Sequence, residues 1–374
     1  MEINNKKLTQ KIFLKVAIGA ISVVAVIILA SYLIIHRYIN KMNLVTSEDD
    51  ITNEQMECGS EEAAELASSL EADYKLEAVD IADSLEDEIS HLEEKIRNNM
   101  EENQTPIMQD DEVFNILLIG SDTRKPENRG RSDAMIVVSI NKKTKTITAT
   151  SILRDIYLKI PGKNNNRINA AYVYGGAELL METIEQNFRL KVDRYASVDF
   201  YVFIDIIDAL GGVTLDVTEK EIKVINNFVA EFNRRTDQEE TFDQLTEPGI
   251  ILLNGKQALA YARNRSVGNN DFERTARQRR VLEQIFLKVK DIGLLELSNL
   301  MNKLLPQVIT NLTEGEIFSL ILSLPSYAMY DLQQWSIPVN GSYSHLRIRG
   351  MSVLGIDFDE NIREIEKRIF GIEE

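Results

Sequence analysis

The chain has 374 residues, a formal net charge of −17, 44% hydrophobic residues, one cysteine and three histidines. That apolar content is enough for one large domain or two; a lone cysteine excludes an internal disulfide framework, and His36, His91 and His345 stand in no zinc-ligand spacing and beside no Ser or Cys motif, which sets zinc sites and Ser-His-Asp hydrolysis aside. The acidity is local, because Ser47 to Glu112 holds twenty-three acidic residues against three basic ones, and the slightly basic remainder lacks the counterion-releasing surface that general nucleic-acid binding needs.

Residues 1–15 carry Lys6, Lys7, Lys11 and Lys15. Val16 to Ile35 is an uncharged apolar run of twenty residues, the length a helix needs to cross a hydrocarbon core. The lysines before it, against only Arg37 and Lys41 after it, predict a cytoplasmic amino terminus and a single-pass signal-anchor at 16–36. No small-x-small cleavage site follows the run, so everything beyond is expected outside the cell.

Residues 37–110 are expected to form an acidic helical stalk and linker. From Glu61 to Arg97, residues such as Leu70, Ile81, Leu85, Ile89, Leu92 and Ile96 recur at helical spacing, which predicts an amphipathic helix of roughly 50 Å. Two readings stay open: a stalk or short coiled coil through which a homodimer forms, or a helix packed on its own domain. Cys58 is an exposed thiol or an intermolecular bridge, and Asn98 to Asp111, with Pro106, has linker polarity.

The globular domain is expected over 111–374. Val113 to Ile119 is a near-continuous apolar run closed by Gly120, and it reads as a buried central strand. Polar chemistry follows in Gly120-Ser121-Asp122-Thr123-Arg124. Arg131-Ser132-Asp133 opens a second strand through Ile140, Asn141 to Thr144 turns, and a third strand, Lys145 to Ile152, ends at Arg154-Asp155. An antiparallel meander of these strands gathers Asp122, Arg131, Asp133, Arg154 and Asp155 on one edge. Carboxylates take a hard divalent cation and guanidinium forks grip phosphate oxygens, so the set suits a metal bound together with a phosphate. Ordinary surface ion pairs at strand ends are the alternative.

Beyond the turn at Lys163 to Asn166, Arg167 and Asn169 are further phosphate or sugar ligands, or merely turn chemistry. A helix is expected from Ala177 to Asn187, a strand from Val192 to Val198, a helix from Asp199 to Leu210 stopped by Gly211-Gly212, and a strand from Val213 to Val217. Glu219 to Pro248 is charged and weakly patterned and reads as a peripheral insertion. Leu253-Asn254-Gly255 opens a helix reaching Tyr261 to Arg265. A second helix from Asp271 places Arg274 and Gln278 on one face with Val281, Ile285 and Val289, a face that turns from charged to greasy along its length. Helices at Ile292 to Ile309, Glu314 to Leu324 and Asp359 to Phe370, and strands at Asp331 to Val339 and Leu346 to Arg349, complete an α/β layered domain.

In order and spacing, Asn115 to Asp122, Arg131-Ser132-Asp133, Ser151 to Asp155, Arg167 to Tyr172, Asp208 to Val213, Leu253 to Gly255, Tyr261 to Arg265 and Asp271 to Gln278 resemble the LytR-CpsA-Psr proteins of bacterial cell envelopes. The resemblance implies a three-layer α/β/α domain with a central mixed sheet. It also implies a polyprenyl (pyro)phosphate-linked glycan donor with its tail in an apolar tunnel, Mg2+ or Mn2+ at the phosphates, and transfer of a teichoic-acid- or capsule-like polymer to a peptidoglycan acceptor. By position, Asp122 and Asp133 look like the metal carboxylates, and Arg131, Arg154, Arg263, Arg265, Arg274 and Gln278 look like the pyrophosphate grip. Arg131, Arg154 and Asp271 look like the residues that carry the chemistry, with Asp271 as the candidate base. Leu153 stands where proline is usual, Arg167 where lysine is common and Glu273 where glycine is common, which bears on substrate preference. A polyprenyl pyrophosphatase using water as acceptor, and a non-catalytic envelope regulator or scaffold, are the competing classes.

Overall fold

The computed structural model describes residues 43–44, 82–101, 105–122, 130–268, 270–293 and 303–372, with 296, 297 and 300. The expected membrane span at 16–36 lies outside them, as do Cys58 and the acidic stretch before Ala82. Among the described residues no helix is long and apolar enough to cross a membrane.

The centre is a seven-stranded mixed sheet in the order β1-β10-β7-β2-β3-β4-β11. Strands β2 (Val113–Ser121), β3 (Ser132–Asn141) and β4 (Thr146–Ile152) form the expected antiparallel meander. Strand β7 (Arg194–Val198) runs parallel to β2, β10 (Ile309–Thr310) antiparallel to β7, β1 (Asn43–Leu44) parallel to β10, and β11 (Asp331–Ile337) parallel to β4. The β2 run is buried because its neighbours pair it on both sides, so it reads as continuous apolar sequence rather than as an alternation.

One face of the sheet packs tightly. Helix α1 (Ala82–Glu101), helix α2 (Asn169–Phe188) and α8 (Phe358–Ile365) contribute Ile96, Leu180, Ile184, Phe188 and Ile365 to a core with Leu117, Ile119 and Val137, all at 0–2% exposure. Of the two readings of the acidic helix, the packed one describes residues 82–101. Leu92 and Ile96 face their own domain, and Asn99 Nδ2 donates to the Asn187 carbonyl at 3.0 Å.

The opposite face is covered by α6 (Asn270–Asp291) and α7 (Glu314–Tyr327), which bring Phe286, Leu320 and Tyr327 onto Val138, Ile140 and Ile147. Here the packing is looser. Val138, Leu320 and Phe286 are only partly buried, and on α6 no residue beyond Val281 is fully buried. A second core lies beside the sheet, where hairpin β8 (Val213–Val217) and β9 (Gly249–Leu253) packs with helices α3 (Phe200–Ala209), α4 (Glu219–Arg235), α5 (Gly255–Arg263) and α6.

Four expectations need correction. The stretch from Glu219, expected as a peripheral insertion, begins as α4, capped by a reciprocal Thr218–Glu221 box and seating Ile222, Ile225 and Val229 in the second core. Helix α2 starts at Asn169, two turns before the expected Ala177, and kinks at Gly175 and Gly176, the latter with a φ of 69°. Strands β9 and β13 (Met351–Ile356) were not foreseen; each completes a hairpin, β9 with β8 and β13 with β12 (Tyr343–Ile348). Ile309 belongs not to a helix but to β10, entered through a short 3-10 turn at Leu305–Gln307.

Candidate active site

The meander brings its loop ends together as the strand pattern requires. A register shift between Gly120 and Ser121 ends β2, and the Asp122 amide donates to the Arg131 carbonyl at 3.1 Å, so Asp122 and Asp133 close neighbouring strand ends. At the end of β4, Arg154 Nη1 reaches Asp133 Oδ1 at 2.5 Å, and its Nε lies 3.7 Å from both Asp155 Oδ1 and Asp271 Oδ2. Arg167, on the two-residue strand β6 (Asn166–Arg167) that pairs with β5 (Tyr157–Leu158), meets Asp155 at 3.1 Å.

The second half of the site comes from the junction of α5 and α6. Asn254 caps α5 in a reciprocal box with Gln257, and the Gly255 amide donates to Asp208 Oδ1 at 2.7 Å. Gly255 is required by proximity, since a Cβ there would stand 2.4 Å from the Ile204 carbonyl. At the first turn of α6, Asp271 receives Arg265 Nε and Arg274 Nη1, each at 3.1 Å. Five chain segments thus supply one interleaved cluster of carboxylates and guanidiniums.

Its electrostatics are uneven. Arg274 is 3% exposed, and its Nε and Nη2 atoms, like Gln278 Oε1, are buried with no hydrogen-bond partner among the described residues. Burial holds the Arg274 guanidinium below its ordinary range. Burial, and next the hydrogen bond with Asp271, pushes the Asp155 carboxyl up to about 6 against the pull of Arg154. Unsatisfied buried donors are costly, and an anion in front of them removes the cost.

The expected residues divide by placement. Arg154, Arg265, Arg274, Asp133 and Asp271 are brought together, and Arg167 joins through Asp155. Gln278 lies one turn along α6 from Arg274. Arg131 is exposed at the start of β3 and Asp122 half-buried at the end of β2. Asn169 is buried behind Arg154, its amide 3.4 Å from the Arg154 carbonyl. Arg263 stacks on the rings of Phe200 and Phe228, its guanidinium carbon 4.2 and 5.3 Å from their centroids.

Sequence reasoning passed over Arg277 and Glu221. Arg277, 2% exposed, donates to Glu221 Oε1 at 2.7 Å and to the carbonyls of Asn264 and Val267 at 3.1 and 2.9 Å, so it ties down the loop that carries Arg265. The Thr218-x-x-Glu221 box was the signal available for Glu221.

Among the described residues no group of three or more His, Cys, Asp or Glu side chains could hold a metal by itself. Mg2+ usually takes only one or two carboxylates and completes its shell with phosphate oxygens and water. The ends of β2 and β3 offer that donor number in Asp122 and Asp133, beside guanidiniums suited to the phosphate.

The LytR_cpsA_psr family model matches residues 74–368, most of the chain. The chain belongs to this family. As a LytR_cpsA_psr protein it is 32% identical over 235 residues to the Polyisoprenyl-teichoic acid–peptidoglycan teichoic acid transferase TagU of Bacillus licheniformis, covering 62% of this chain and 71% of that protein. It is 34% identical over 195 residues to Biofilm regulatory protein A of Streptococcus mutans, covering 49% of this chain and 46% of that one. The chain spans about half the length of several of the curated relatives it matches. In the solved structure of TagT bound to LI-WTA the likeness has a TM-score of 0.55 at 26% identity, over 74% of this chain and 96% of the other.

Proposed function

We propose that this LytR_cpsA_psr protein is a membrane-anchored phosphotransferase that moves an anionic glycopolymer from a polyprenyl (pyro)phosphate carrier onto peptidoglycan. The observation that carries the reading is Arg274, a buried guanidinium with two unpartnered nitrogens in a cluster with Arg154, Arg265, Asp155 and Asp271. A doubly anionic pyrophosphate matches those donors in charge and fork geometry, and water would not match their charge. The relatives' names agree: one is a teichoic acid transferase, and TagT has been solved with LI-WTA.

The looser face of the sheet supports the lipid half of the reading. One face carries the large buried core around Leu117 and Val137, while the other buries only Ile140, Ile147 and Tyr327 fully and leaves Val138, Phe286 and Leu320 partly buried. Apolar side chains left partly exposed on that face are what an acyl or prenyl chain would cover. In this reading the domain is a three-layer α/β/α unit held outside the cell by a span at Val16 to Ile35.

The chemistry asked of the residues is positioning and charge neutralisation. The acceptor sugar hydroxyl forms a bond to the phosphorus that carries the polymer sugar. The bond from that phosphorus to the lipid-side bridging oxygen breaks, and lipid monophosphate leaves. Arg154, Arg265 and Arg274 hold the phosphoryl oxygens as charge moves from the attacked to the leaving side. The hydroxyl proton passes to the Asp155–Asp271 pair, in which burial holds the Asp155 carboxyl above the ordinary carboxylate range. Mg2+ held by Asp122 and Asp133 would supply Lewis-acid neutralisation of the phosphates when bound.

Incubating the purified full-length chain with a lipid-linked glycopolymer, with and without a peptidoglycan oligosaccharide, tests this. Acceptor-dependent release of lipid monophosphate with a phosphodiester-linked product is expected. Equal release without acceptor identifies a pyrophosphatase instead, and no release in either arm removes the enzymatic reading.

A further inference from the structure

The amino-terminal chain rejoins the body at a defined place. Asn43 and Leu44 form β1, paired with Ile309 and Thr310, and Ile309 in turn pairs with Ser197 and Ser197 with Ile119. Asn43 therefore lies in the same row across the sheet as Ile119. With strands about 4.8 Å apart, it is three strands and roughly 14 Å from β2. Because β1 is parallel to β10 and β10 antiparallel to β7, β1 runs antiparallel to β2. The chain thus enters β1 from the end of the sheet where Asp122, Asp133 and Arg154 stand.

Only His36 to Met42 separate the apolar run ending at Ile35 from β1. Eight Cα steps reach at most roughly 28 Å, even when fully extended. To present the opposite end of the sheet to a bilayer, this chain would have to reverse at once. It would then run back along the strands from the Ile119 row to Val113, about 20 Å, and past the loops beyond. That leaves almost no length for leaving the membrane.

The tethered end has groups that can seat on a headgroup layer. At the tethered end Tyr201, at the start of α3, is 59% exposed and Ile309 44% exposed, and Arg131 and Arg265 reach solvent. An amphipathic aromatic, an exposed aliphatic and cations are the surface that seats on anionic headgroups. The far end presents Asp110, Asp111 and Glu112, which an anionic surface repels, together with Lys142, Lys143 and Lys145 and with Met329 at 84% exposure, so the tether and not surface composition separates the two ends.

We propose that the sheet end bearing the Arg and Asp cluster faces the lipid headgroups directly, held there by the β1–β10 pairing, with Tyr201 and Ile309 on the contact surface. This rests on reading Val16 to Ile35 as the anchor, and it specifies how the site meets a membrane-bound donor. The donor's phosphates then need not be lifted across the domain.

The test uses the full chain carrying Cys58→Ser in nanodiscs of phosphatidylcholine and phosphatidylglycerol with a headgroup-attached quencher. One fluorophore is placed through Tyr201→Cys or, separately, Lys143→Cys. Quenching several-fold stronger at position 201 than at 143 is expected. Equal quenching, stronger quenching at 143, or none at either position overturns the proposal. In the same background, Asn43→Cys with Ile309→Cys should oxidise to an intramolecular disulfide, since neighbouring strands lie within disulfide reach; failure to form it overturns the tether. A protein recovered wholly in the aqueous phase removes the anchor and this proposal with it. Neither readout needs turnover, so lost transfer with the expected quenching counts against the transferase reading alone, and intact transfer with reversed quenching counts against the orientation alone.

Discussion

The carboxyl of Asp155 is hydrogen-bonded to the carboxyl of Asp271, one from the turn after β4 and the other from the first turn of α6. Two acids in contact are tolerable because guanidiniums surround them: Arg154 lies 3.7 Å from each, Arg167 meets Asp155, and Arg265 and Arg274 meet Asp271. The pair joins the meander half of the site to the helical half. It also makes this the place where proton affinity and phosphate affinity are linked.

Stability should therefore depend on pH through Asp155. Burial and the Asp271 contact raise its carboxyl from an ordinary 3.8 to about 6. Between those values the folded state binds a proton that the unfolded chain releases, so this contribution is present at pH 4, is lost as pH climbs through 6 and stays lost above. Asp155→Asn keeps the shape without the charge. It is expected to raise stability at pH 7.5 by on the order of 1–3 kcal/mol and to change little at pH 4. Urea denaturation at both values checks this; a variant no more stable than the parent at pH 7.5 would contradict it.

Arg154 touches three carboxylates and sits where the phosphates are proposed to bind. Arg154→Ala should reduce transfer by roughly 100-fold or more while far-ultraviolet circular dichroism stays unchanged. Arg154→Lys keeps the charge but loses the fork, and should recover only part of the loss.

The buried Glu221–Arg277 pair holds the Asn264 to Val267 loop. Burial raises the Glu221 carboxyl, but hydrogen bonds from Thr218 and Arg277 outweigh it and leave it below its ordinary value. Its stabilisation is accordingly present near neutral pH and fades as pH falls through the acid range. Glu221→Ala should cost about 3–5 kcal/mol by leaving a buried cation unpaired, and Glu221→Leu with Arg277→Met should recover most of that. The double variant should still raise KM for the lipid donor, because the Arg265 loop has lost both carbonyl anchors. Denaturation alongside steady-state kinetics separates the two effects.

The half-filled face predicts an asymmetry between core substitutions. Leu180→Ala, in the tight core at 0% exposure, should cost about 2–5 kcal/mol. Val138→Phe, on the looser face, should leave the melting temperature within a few degrees yet weaken binding of a polyprenyl phosphate at least tenfold. Equal destabilisation by both would argue that the second face is as closely packed as the first.

The meander was legible in sequence because strand, turn and strand are local: the β2 run, the Asn141 turn and the ends at Asp133 and Arg154 follow from spacing alone. The α6 face was legible for the same reason. Helix α4 was missed because seven of its seventeen residues are charged and hide the Ile222, Ile225 and Val229 stripe, although the Thr218–Glu221 box marked its start. The first turns of α2, from Asn169, were missed because Gly175-Gly176 interrupts the helical pattern; here the chain bends and the helix resumes. The Asp155–Asp271 contact and the stacking of Arg263 on Phe200 and Phe228 depend on how segments distant in the chain close over one another, and no spacing encodes that.

In the proposed function, side chains from five segments serve one anionic head group. Isothermal titration of a polyprenyl pyrophosphate into the parent, Arg154→Ala, Arg274→Gln and the double variant measures it directly. Each single change should weaken binding by tenfold or more, and the double should lose less than the product of the two, because both act on the same phosphates. Parent-like affinity in both single variants would show that the head group binds elsewhere.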